Sequence, residues 1–368
     1  MKIPFANIKQ QYLSIKDEID SAIHDVLDDT AFIRGKYVER FENNFCEFYG
    51  IRNCIGVGNG TDAIYLALRA LEIGSGDEVI TVCNSWISTS EVITQAGAKV
   101  VFCDIELDNY NIDVNKLESL ITPKTKAIIP VHLYGQPVKN FDKLVSIAKK
   151  NNLFVIEDCA QAILAEFKNQ YVGTFGDIST ISFYPGKNLG AFGDAGAVLT
   201  NNDDIAKKIR MLANHGQEVK HTHLYEGVNS RMDGIQGNVL NLKLNYIKKW
   251  TKKRQEVASI YNKELSDLSS IKLPNTSPHC SHVFHLYVIL AQDRDELMNF
   301  LKKNSIGTAL HYPNILPMLD CYKYLEHSVG DFPNGYDCSK KILSLPMFPE
   351  LKQSEVVFVS QKIKEFYS

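Results

Sequence analysis

Five short apolar runs, separated by segments with helical periodicity, constrain the fold of this chain more than any other feature. The runs lie at residues 54–57, 78–82, 99–103, 127–131 and 153–156. Segment 63–71, between the first two runs, has apolar residues at 64, 67, 68 and 71, the spacing of one helix face. Near-continuous apolar strands that alternate with helices are typical of a parallel sheet covered on both faces. The pattern therefore predicts an α/β fold.

Two more strand-like runs, 178–183 and 196–200, follow one another with only a loop between them. The loop is too short for a helical crossover, so we expect one of these strands to run antiparallel. Ligands of open α/β sheets bind outside the carboxyl ends of the strands. Residues directly after each strand are therefore the candidates for function.

The second half of the chain has a different pattern. Apolar residues at 232, 235, 239, 242, 246 and 250 predict one long helix from Met232 to about Leu265. A smaller α+β segment follows, with a strand at 285–290 and a helix at 293–303. We therefore expect a large domain over 1–240 and a small C-terminal α+β domain over 241–368. The N-terminal segment, to about residue 15, is expected to pack on the small lobe.

Composition disfavours several classes of protein. The 40 Lys and Arg against 43 Asp and Glu give a formal charge of −3, which attracts neither nucleic acid nor an anionic membrane. No apolar run reaches the ~18 residues of a membrane span, and residues 1–7 lack the apolar core of a signal peptide. The eight cysteines form no C-x-x-C pair and no metal-ligand spacing. A cytoplasmic enzyme with reduced thiols, no metal and no nucleic-acid or membrane partner is the favoured class.

Three segments that follow predicted strands could carry chemistry. The first, 56–62, reads Gly-Val-Gly-Asn-Gly-Thr-Asp and opens a helix, where backbone N–H groups can bind a phosphate. A plain helix cap at Thr61 or Asp62 explains the same residues. The segment has neither G-x-G-x-x-G spacing nor a Walker lysine, so dinucleotide or ATP binding is not favoured.

The second segment is Glu157-Asp158, at the carboxyl end of the fifth predicted strand. Its carboxylate could cap the next helix or hold a proton on a bound heterocycle. The third, 182–190, carries Lys187 in a glycine-flanked loop. Most such lysines are simply exposed, but one desolvated beside an anionic cofactor can lose its proton and act as an amine nucleophile.

In this order on a parallel sheet, the glycine turn, Asp158 and Lys187 resemble the pyridoxal-phosphate (PLP) site of the aspartate-aminotransferase fold, fold type I. The local sequences are similar to those of the DegT/DnrJ/EryC1/StrS family of nucleotide-sugar aminotransferases over essentially the whole chain. The segments that carry the resemblance are 35–38, 41–42, 58–63, 130–135, 157–158, 193–196, 229–232 and 311–313. The resemblance implies a mostly parallel seven-stranded sheet with a smaller α+β C-terminal lobe.

The resemblance also implies a role for each matching residue. Two catalytic residues are implied: Lys187 would bind the cofactor covalently and move protons, and Asp158 would pair with the pyridinium nitrogen. The other residues implied to bind the cofactor are Gly60, Thr61 and Ser182 on the phosphate, Gln161 on the phenolic oxygen, Trp86 stacked on the ring, and Asn229 from a neighbouring subunit. Residues implied to lie near the sugar substrate are Tyr184, His311 and Tyr312. A homodimer with shared active sites follows from the role of Asn229.

Some positions leave alternatives open or depart from the family. Trp86 could instead be a core residue, and His132 is better interpreted as a structural histidine than as a base. Ile163 stands where the family often has histidine. Segment 314–319, Asn-Ile-Leu-Pro-Met-Leu, replaces a common Pro-x-His continuation. Both departures concern the substrate side and therefore the sugar specificity.

The leading hypothesis is a PLP-dependent aminotransferase that cycles through pyridoxamine phosphate (PMP). It would move an amino group from L-glutamate to the C3 keto group of a dTDP-linked 3-keto-6-deoxyhexose. The product, a dTDP-3-amino-3,6-dideoxyhexose, would serve a surface glycan such as the O-antigen of lipopolysaccharide. Loop 184–197 resembles the enzymes that aminate C3, and Pro185-Gly186-Lys187 favours the dTDP branch.

Several alternatives stay open beside this hypothesis. The enzyme could instead aminate a UDP-2-acetamido-3-keto sugar, or C4 of dTDP-4-keto-6-deoxyglucose. A related sugar dehydratase would have histidine at position 187, where this chain has lysine. A Rossmann dehydrogenase would leave Asp158 and Lys187 without a role. A non-catalytic nucleotide-sugar binding protein is the most distant alternative.

Overall fold

The structure is a computed structural model that describes residues 1–368. Its strands are β1 (Asn53–Val57), β2 (Glu78–Val82), β3 (Lys99–Cys103), β4 (Thr125–Ile129), β5 (Phe154–Asp158), β6 (Glu166–Phe167), β7 (Gln170–Tyr171), β8 (Ile178–Ser182), β9 (Gly196–Thr200), β10 (Gln217–Val219), β11 (Thr222–His223), β12 (Ile271–Lys272), β13 (Cys280–Ser281), β14 (Tyr287–Ala291) and β15 (Ile342–Leu345). Its helices are α1 (Ile8–Ser14), α2 (Lys16–Asp28), α3 (Lys36–Tyr49), α4 (Gly60–Ala70), α5 (Ser88–Gln95), α6 (Leu117–Leu120), α7 (Phe141–Lys150), α8 (Asp203–Leu212), α9 (Gly234–Leu244), α10 (Ile247–Leu265), α11 (Arg294–Lys303), α12 (Pro333–Lys341) and α13 (Gln353–Phe366). None of these helices combines the length and apolar character that a membrane crossing requires.

The central sheet has seven strands in the order β1-β9-β8-β5-β4-β2-β3. All neighbouring pairs are parallel except those of β9, which lies antiparallel between β1 and β8. Every residue of β2 and β9 is buried, because helices cover the sheet on both faces. The predictions of a mostly parallel seven-stranded α/β sheet and of one antiparallel strand are confirmed.

Helix α3 shows how packing fixes the end of β8, where the candidate site begins. Its buried residues include Val38, Phe41, Phe45 and Tyr49, spaced three or four apart on one face. The rings of Phe41 and Phe45 lie 5.4 and 6.1 Å from that of Phe183, the residue after β8. Aromatic contacts of this kind hold the strand end in place beyond the effect of buried area alone.

The C-terminal lobe has its own core. Strands β12, β14 and β15 form an antiparallel sheet, and 21 buried residues cluster around it, apart from the 81-residue core of the large sheet. Ile3 belongs to the smaller cluster and pairs with Ile306, whereas Ile15 belongs to the larger one. Helix α10 begins in the larger core at Ile247 and ends in the smaller core. The division of the domains near residue 240 stays a prediction.

The prediction of one long helix from Met232 to Leu265 is wrong. The chain forms two helices, α9 and α10, separated at Asn245 and Tyr246. There the Tyr246 N–H donates to the carbonyl of Lys243, one residue short of the helical partner, and ends α9 in a tight turn. The apolar spacing continues through this turn because Tyr246 still stacks on Trp250, with ring centroids 5.6 Å apart. Spacing alone therefore could not show that the helix axis changes.

Candidate active site

The candidate residues meet at one edge of the central sheet. Asp158 is the last residue of β5, Ser182 is the last residue of β8, and Gly60 opens α4 shortly after β1. Strands β1, β5 and β8 all point the same way, because β9 is antiparallel to both β1 and β8. Their carboxyl ends therefore share the edge at which open α/β sheets bind ligands.

Asp158 is a buried carboxylate with a fixed orientation. One of its oxygens accepts the Ala160 N–H at 3.1 Å, and the other accepts the Thr89 hydroxyl at 2.9 Å. Burial raises the pKa of Asp158, while these hydrogen bonds and Lys187 act in the opposite direction. A carboxylate held in this way is suited to pair with a protonated nitrogen of a bound ring.

Thr89 is a residue of the candidate site that the sequence analysis missed. It lies on α5, 69 positions before Asp158, and its hydroxyl is 3.1 Å from that of Ser85. The only signal in the sequence is a run of hydroxyl residues after the second predicted strand, at 85 and 88–90. Such a run is also typical of an ordinary helix start.

Lys187 lies in a tightly closed loop directly after β8. Its N–H donates to the Tyr184 carbonyl at 2.8 Å, and the Ala191 N–H donates to the Phe183 carbonyl at 2.7 Å. Burial lowers the pKa of Lys187 to about 8, with Asp158 acting against this shift. A substantial fraction of the amine is therefore neutral near physiological pH, as a nucleophilic lysine requires.

The N-terminus of α4 is pressed against the end of β8. A Cβ added to Gly60 would lie 2.7 Å from the Cβ of Ser182, so only glycine fits there. Asn59 caps the helix by accepting the Asp62 N–H at 2.8 Å. The first N–H groups of a helix have no partner within it, and those of Gly60 and Thr61 therefore remain free to bind an anion beside Ser182.

Gln161, Tyr312 and Trp86 form a second wall of the site. The Gln161 side chain accepts the Tyr134 N–H at 2.6 Å and donates to the Tyr312 hydroxyl at 3.2 Å. The rings of Trp86 and Tyr312 lie 5.8 Å apart. Trp86 is 58% exposed, so the alternative that it is a core residue is wrong.

His311 is joined to this wall from the C-terminal lobe. The Tyr134 hydroxyl donates to its carbonyl, and its Nδ1 lies 2.8 Å from the Ser344 hydroxyl. Burial lowers the pKa of His311 to about 4, with Lys187 adding to the shift. His311 is therefore neutral at physiological pH and can serve as a hydrogen-bonding group.

Two predicted residues are not gathered into the site of a single chain. Asn229 is exposed and pairs through its backbone with Asn214, and Tyr184 is 59% exposed. The next residue, Ser230, does reach the glycine turn, where its hydroxyl accepts the Gly58 N–H at 3.0 Å. The role of Asn229 toward a neighbouring subunit stays a prediction.

His285 is a second residue near the site to which the sequence analysis gave no role. Its Nδ1 lies 3.2 Å from the side-chain oxygen of Asn188, the residue after Lys187. Burial lowers the pKa of His285 well below its usual value, and Lys187 adds to this effect. The two partners are 97 positions apart, so no local spacing could have shown their contact.

His132, Glu157 and Cys159 place potential metal ligands within 4.8 Å of one another. The Glu157 carboxylate already accepts the N–H groups of residues 173, 175 and 176 at 2.7 to 2.8 Å. His132 contacts Glu157 through Nε2 and accepts the Val138 N–H through Nδ1. Burial raises the pKa of the Cys159 thiol well above its usual value. The cluster is thus occupied by structural hydrogen bonds, in line with the structural interpretation of His132.

Comparisons of sequence and structure identify known proteins to which this chain is similar. The model of the DegT/DnrJ/EryC1/StrS aminotransferase family matches residues 13–364. The chain is 41% identical to a "pleiotropic regulatory protein" of Geobacillus stearothermophilus, over 100% of this chain and 99% of the relative. It is 39% identical to the dTDP-3-amino-3,6-dideoxy-alpha-D-galactopyranose transaminase of Aneurinibacillus thermoaerophilus, over 99% of both.

Two further comparisons extend this result. The chain is 38% identical to the UDP-N-acetyl-3-dehydro-alpha-D-glucosamine 3-aminotransferase of Acidithiobacillus ferrooxidans, over 98% of this chain and 97% of the relative. The crystal structure of DesV from S. venezuelae, in complex with a ketimine intermediate, superposes with a TM-score of 0.97. It is 36% identical and the match covers 99% of this chain and 98% of DesV.

The residues of the site fit PLP group by group. The glycine-lined start of α4 suits a phosphate, the buried Asp158 suits a pyridinium nitrogen, and the Lys187 amine suits an aldehyde. The predictions of the fold, of an aminotransferase and of PLP with PMP as its cofactor forms are confirmed. The chain is a PLP-dependent transaminase and belongs to the DegT/DnrJ/EryC1/StrS aminotransferase family.

Proposed function

We propose that the enzyme moves an amino group from L-glutamate to the C3 keto group of a dTDP-linked 3-keto-6-deoxyhexose. The product, a dTDP-3-amino-3,6-dideoxyhexose, serves a surface polysaccharide such as an O-antigen, or another glycan, and the reaction takes place in the cytoplasm. The observation that carries the transaminase chemistry is the Lys187 amine, held in a closed loop near the buried Asp158. The C3 position is supported by the sequence of loop 184–197 and by the activity named for the Aneurinibacillus relative.

Each residue of the cofactor side has one task in this reaction. When bound, PLP supplies an electron sink for the substrate carbon that exchanges the amine. Lys187 would hold the cofactor through Nζ, and once the amino group of the donor had displaced it, the free Lys187 amine would accept and return the proton that moves. Asp158 keeps a positive charge on the ring nitrogen, and Thr89 holds that carboxylate in place. Gly60, Thr61 and Ser182 bind the phosphate, and Gln161 donates to the phenolic oxygen.

The substrate side is formed by Tyr184, His311 and Tyr312, and the ring-stacking Trp86 borders it through its contact with Tyr312. Segment 314–319 lies beside it, because the Leu316 N–H donates to the Cys83 carbonyl at 2.8 Å, three residues before Trp86. The departure from the family at 314–319 therefore adjoins the proposed ring-stacking residue. We infer that this segment helps to select the sugar.

A homodimer with shared sites is the assembly that we propose. Several large apolar side chains are exposed in the single chain, among them Phe32 (48%), Ile33 (53%) and Leu224 (53%). Exposed apolar surface of this kind commonly marks an interface. In such a dimer Asn229 reaches the phosphate of the other subunit.

Hybrid dimers test the shared site. A Lys187→Ala chain mixed and reassembled with an Asn229→Ala/Arg231→Ala chain leaves one intact site in each hybrid. Half of the dimers are then hybrids, so about a quarter of the wild-type activity should return. A mixture as inactive as its two components, or a monomer at assay concentration, contradicts the shared site.

Steady-state kinetics with three keto sugars test the substrate. The dTDP-3-keto-6-deoxyhexose should have a higher kcat/KM than dTDP-4-keto-6-deoxyglucose and than a UDP-2-acetamido-3-keto sugar. A preference for the 4-keto sugar contradicts the loop argument. A preference for the UDP sugar selects the second candidate, which is favoured by the activity named for the Acidithiobacillus relative. The non-catalytic alternative has the name of the Geobacillus relative in its favour, but a complete set of cofactor residues argues against it.

A further inference from the structure

Lys243, on α9, is a buried cation to which the proposed chemistry gives no role. It is 1% exposed, and burial lowers its pKa to about 8, with Glu350 acting against the shift. An ammonium group in the interior is unfavourable unless specific contacts compensate it. A methionine would fill similar space without this cost. The lysine therefore needs a contact that only a hydrogen-bond donor can make.

That contact is with the loop that carries Lys187. Lys243 Nζ donates to the Gly190 carbonyl at 2.5 Å. The same ammonium lies 5.1 Å from the centre of the Phe192 ring and 5.9 Å from that of Trp250. Aromatic faces attract a cation, so both rings help to compensate its burial. Gly190 and Phe192 both follow Lys187 within the segment 184–192, which we name the lysine loop.

Other contacts also hold the lysine loop closed. A Cβ at Gly190 would lie 2.3 Å from the Pro185 carbonyl oxygen, so the loop folds back on itself. On its other side, Asn188 donates to the Val283 carbonyl at 3.3 Å and contacts His285. Gly190 is buried, and its carbonyl would lose a charged donor if Lys243 were replaced, which is costly for a buried acceptor.

We propose that Lys243 is a positioning residue that holds the lysine loop through the Gly190 carbonyl, and thereby fixes where the Lys187 amine stands relative to Asp158. This inference rests on the proposed role of Lys187 as the cofactor lysine. Lys243 is buried, and its hydrogen bond is made to the Gly190 carbonyl. It acts through the backbone of the loop.

Hydrogen exchange on the cofactor-free protein tests the contact without reference to activity. In Lys243→Met, the amides of Lys187 and Ala191 should exchange about tenfold faster or more, because a charged hydrogen bond to the loop is lost. The melting temperature should change little, since removal of the buried charge offsets the cost of the Gly190 carbonyl that is left without its donor. If Lys243 had only a structural role, its replacement would lower the melting temperature and leave amide exchange in the lysine loop unchanged.

The matched control is Arg294→Met. Arg294 is also a buried cation, but it donates to the Ser339 and Ile342 carbonyls in the C-terminal lobe. Its replacement should leave exchange in the lysine loop unchanged. Lys243→Gln, which keeps a donor without the charge, should restore part of the protection lost in Lys243→Met.

Cofactor capture and kinetics complete the test. Lys243→Met should bind PLP covalently more slowly than the wild type, as measured by absorbance. In steady-state kinetics its kcat should fall by a larger factor than the factor by which the KM for glutamate changes. Wild-type exchange and capture in Lys243→Met would show that the lysine only fills space, and the proposal would be wrong. If both variants fail to fold, Lys243 is a folding residue and the proposal is likewise rejected. Borohydride reduction that labels a different lysine instead contradicts the role of Lys187 and leaves the exchange result intact.

Discussion

The two sides of the active site are built in different ways. On the cofactor side, Asp158, Gly60 and the lysine loop are held by hydrogen bonds and close packing within one chain. On the substrate side, Tyr184 and the bordering Trp86 are more than half exposed, and Asn229 is exposed in the single chain. A group that must stand at one distance from a cofactor needs rigid support. Surfaces that meet different sugars, or another subunit, can be left open in the single chain.

The largest expected effect comes from the cofactor side. Lys187→Ala should lower kcat/KM by more than about a thousandfold, because no other amine can hold the cofactor covalently. The melting temperature of the cofactor-free protein should not fall, since a half-buried amine is removed. Borohydride reduction of the wild type should fix PLP to a peptide that contains Lys187.

An exposed lysine provides the control for this variant. Lys168 forms an ion pair with Asp142, and its side chain is 52% exposed. Lys168→Ala should keep wild-type activity. Label on any peptide without Lys187 would show that the cofactor side is assigned incorrectly.

Asp158→Asn should have the next largest effect. The amide cannot hold a positive charge on the ring nitrogen, so kcat should fall by about a hundredfold or more. Burial raises the pKa of Asp158 in the folded protein, and its charged form is therefore unfavourable when no cofactor is bound. This unfavourable contribution grows as the pH rises through the folded pKa.

The cofactor-free Asp158→Asn protein should accordingly melt at a temperature equal to or above that of the wild type at pH 7. Calorimetry on both proteins without PLP measures this, and Asp113→Asn, at a half-buried turn, is the control. A large loss of stability with unchanged kcat would assign Asp158 to the fold and not to the reaction.

The two tryptophans allow a direct comparison of the active site with the core. Trp86→Ala should raise the PLP concentration needed for half-maximal activity by about fivefold, consistent with the loss of one ring-stacking contact of ~1 kcal/mol, and should change the free energy of unfolding by only about 0.5 kcal/mol. Trp250, which is 4% exposed, should behave in the opposite way: Trp250→Ala should cost about 3–5 kcal/mol of stability. Urea unfolding and steady-state kinetics measure the two effects. Similar stability losses in both variants would remove the distinction between the two regions.

The smallest expected effect is a pH dependence. The rate at which the cofactor-free enzyme captures PLP should rise with pH and level off above about 8, because Lys187 reacts as the neutral amine and its pKa is lowered to about 8. His311, with its pKa lowered to about 4, is already neutral throughout this range. Stopped-flow absorbance between pH 6 and 9.5 measures the profile. A midpoint near the usual lysine value would show that the amine is not desolvated.

Local patterns in the sequence predicted the sheet and much of the cofactor side. The order of the strands and helices follows from apolar periodicity, and the residues after β1, β5 and β8 follow from the rule that ligands bind at strand ends. The break between α9 and α10 could not be predicted, because the apolar spacing runs through it without interruption. The same holds for the contact between Lys243 and Gly190, which joins residues 53 positions apart.

What the sequence determined by itself is the chemistry: the glycine turn, the strand-end Asp158 and the loop Lys187 are each adjacent to a recognisable strand. What only the tertiary structure decided is the support of these groups. Thr89 on Asp158, His285 on Asn188 and Lys243 on Gly190 come from distant parts of the chain. Side-chain hydrogen bonds between distant residues carry no periodicity of their own, because they arise only when packing has brought separate helices and strands together. Packing also decided that Trp86 is exposed while Trp250 is buried, although each follows two polar or charged residues in the chain.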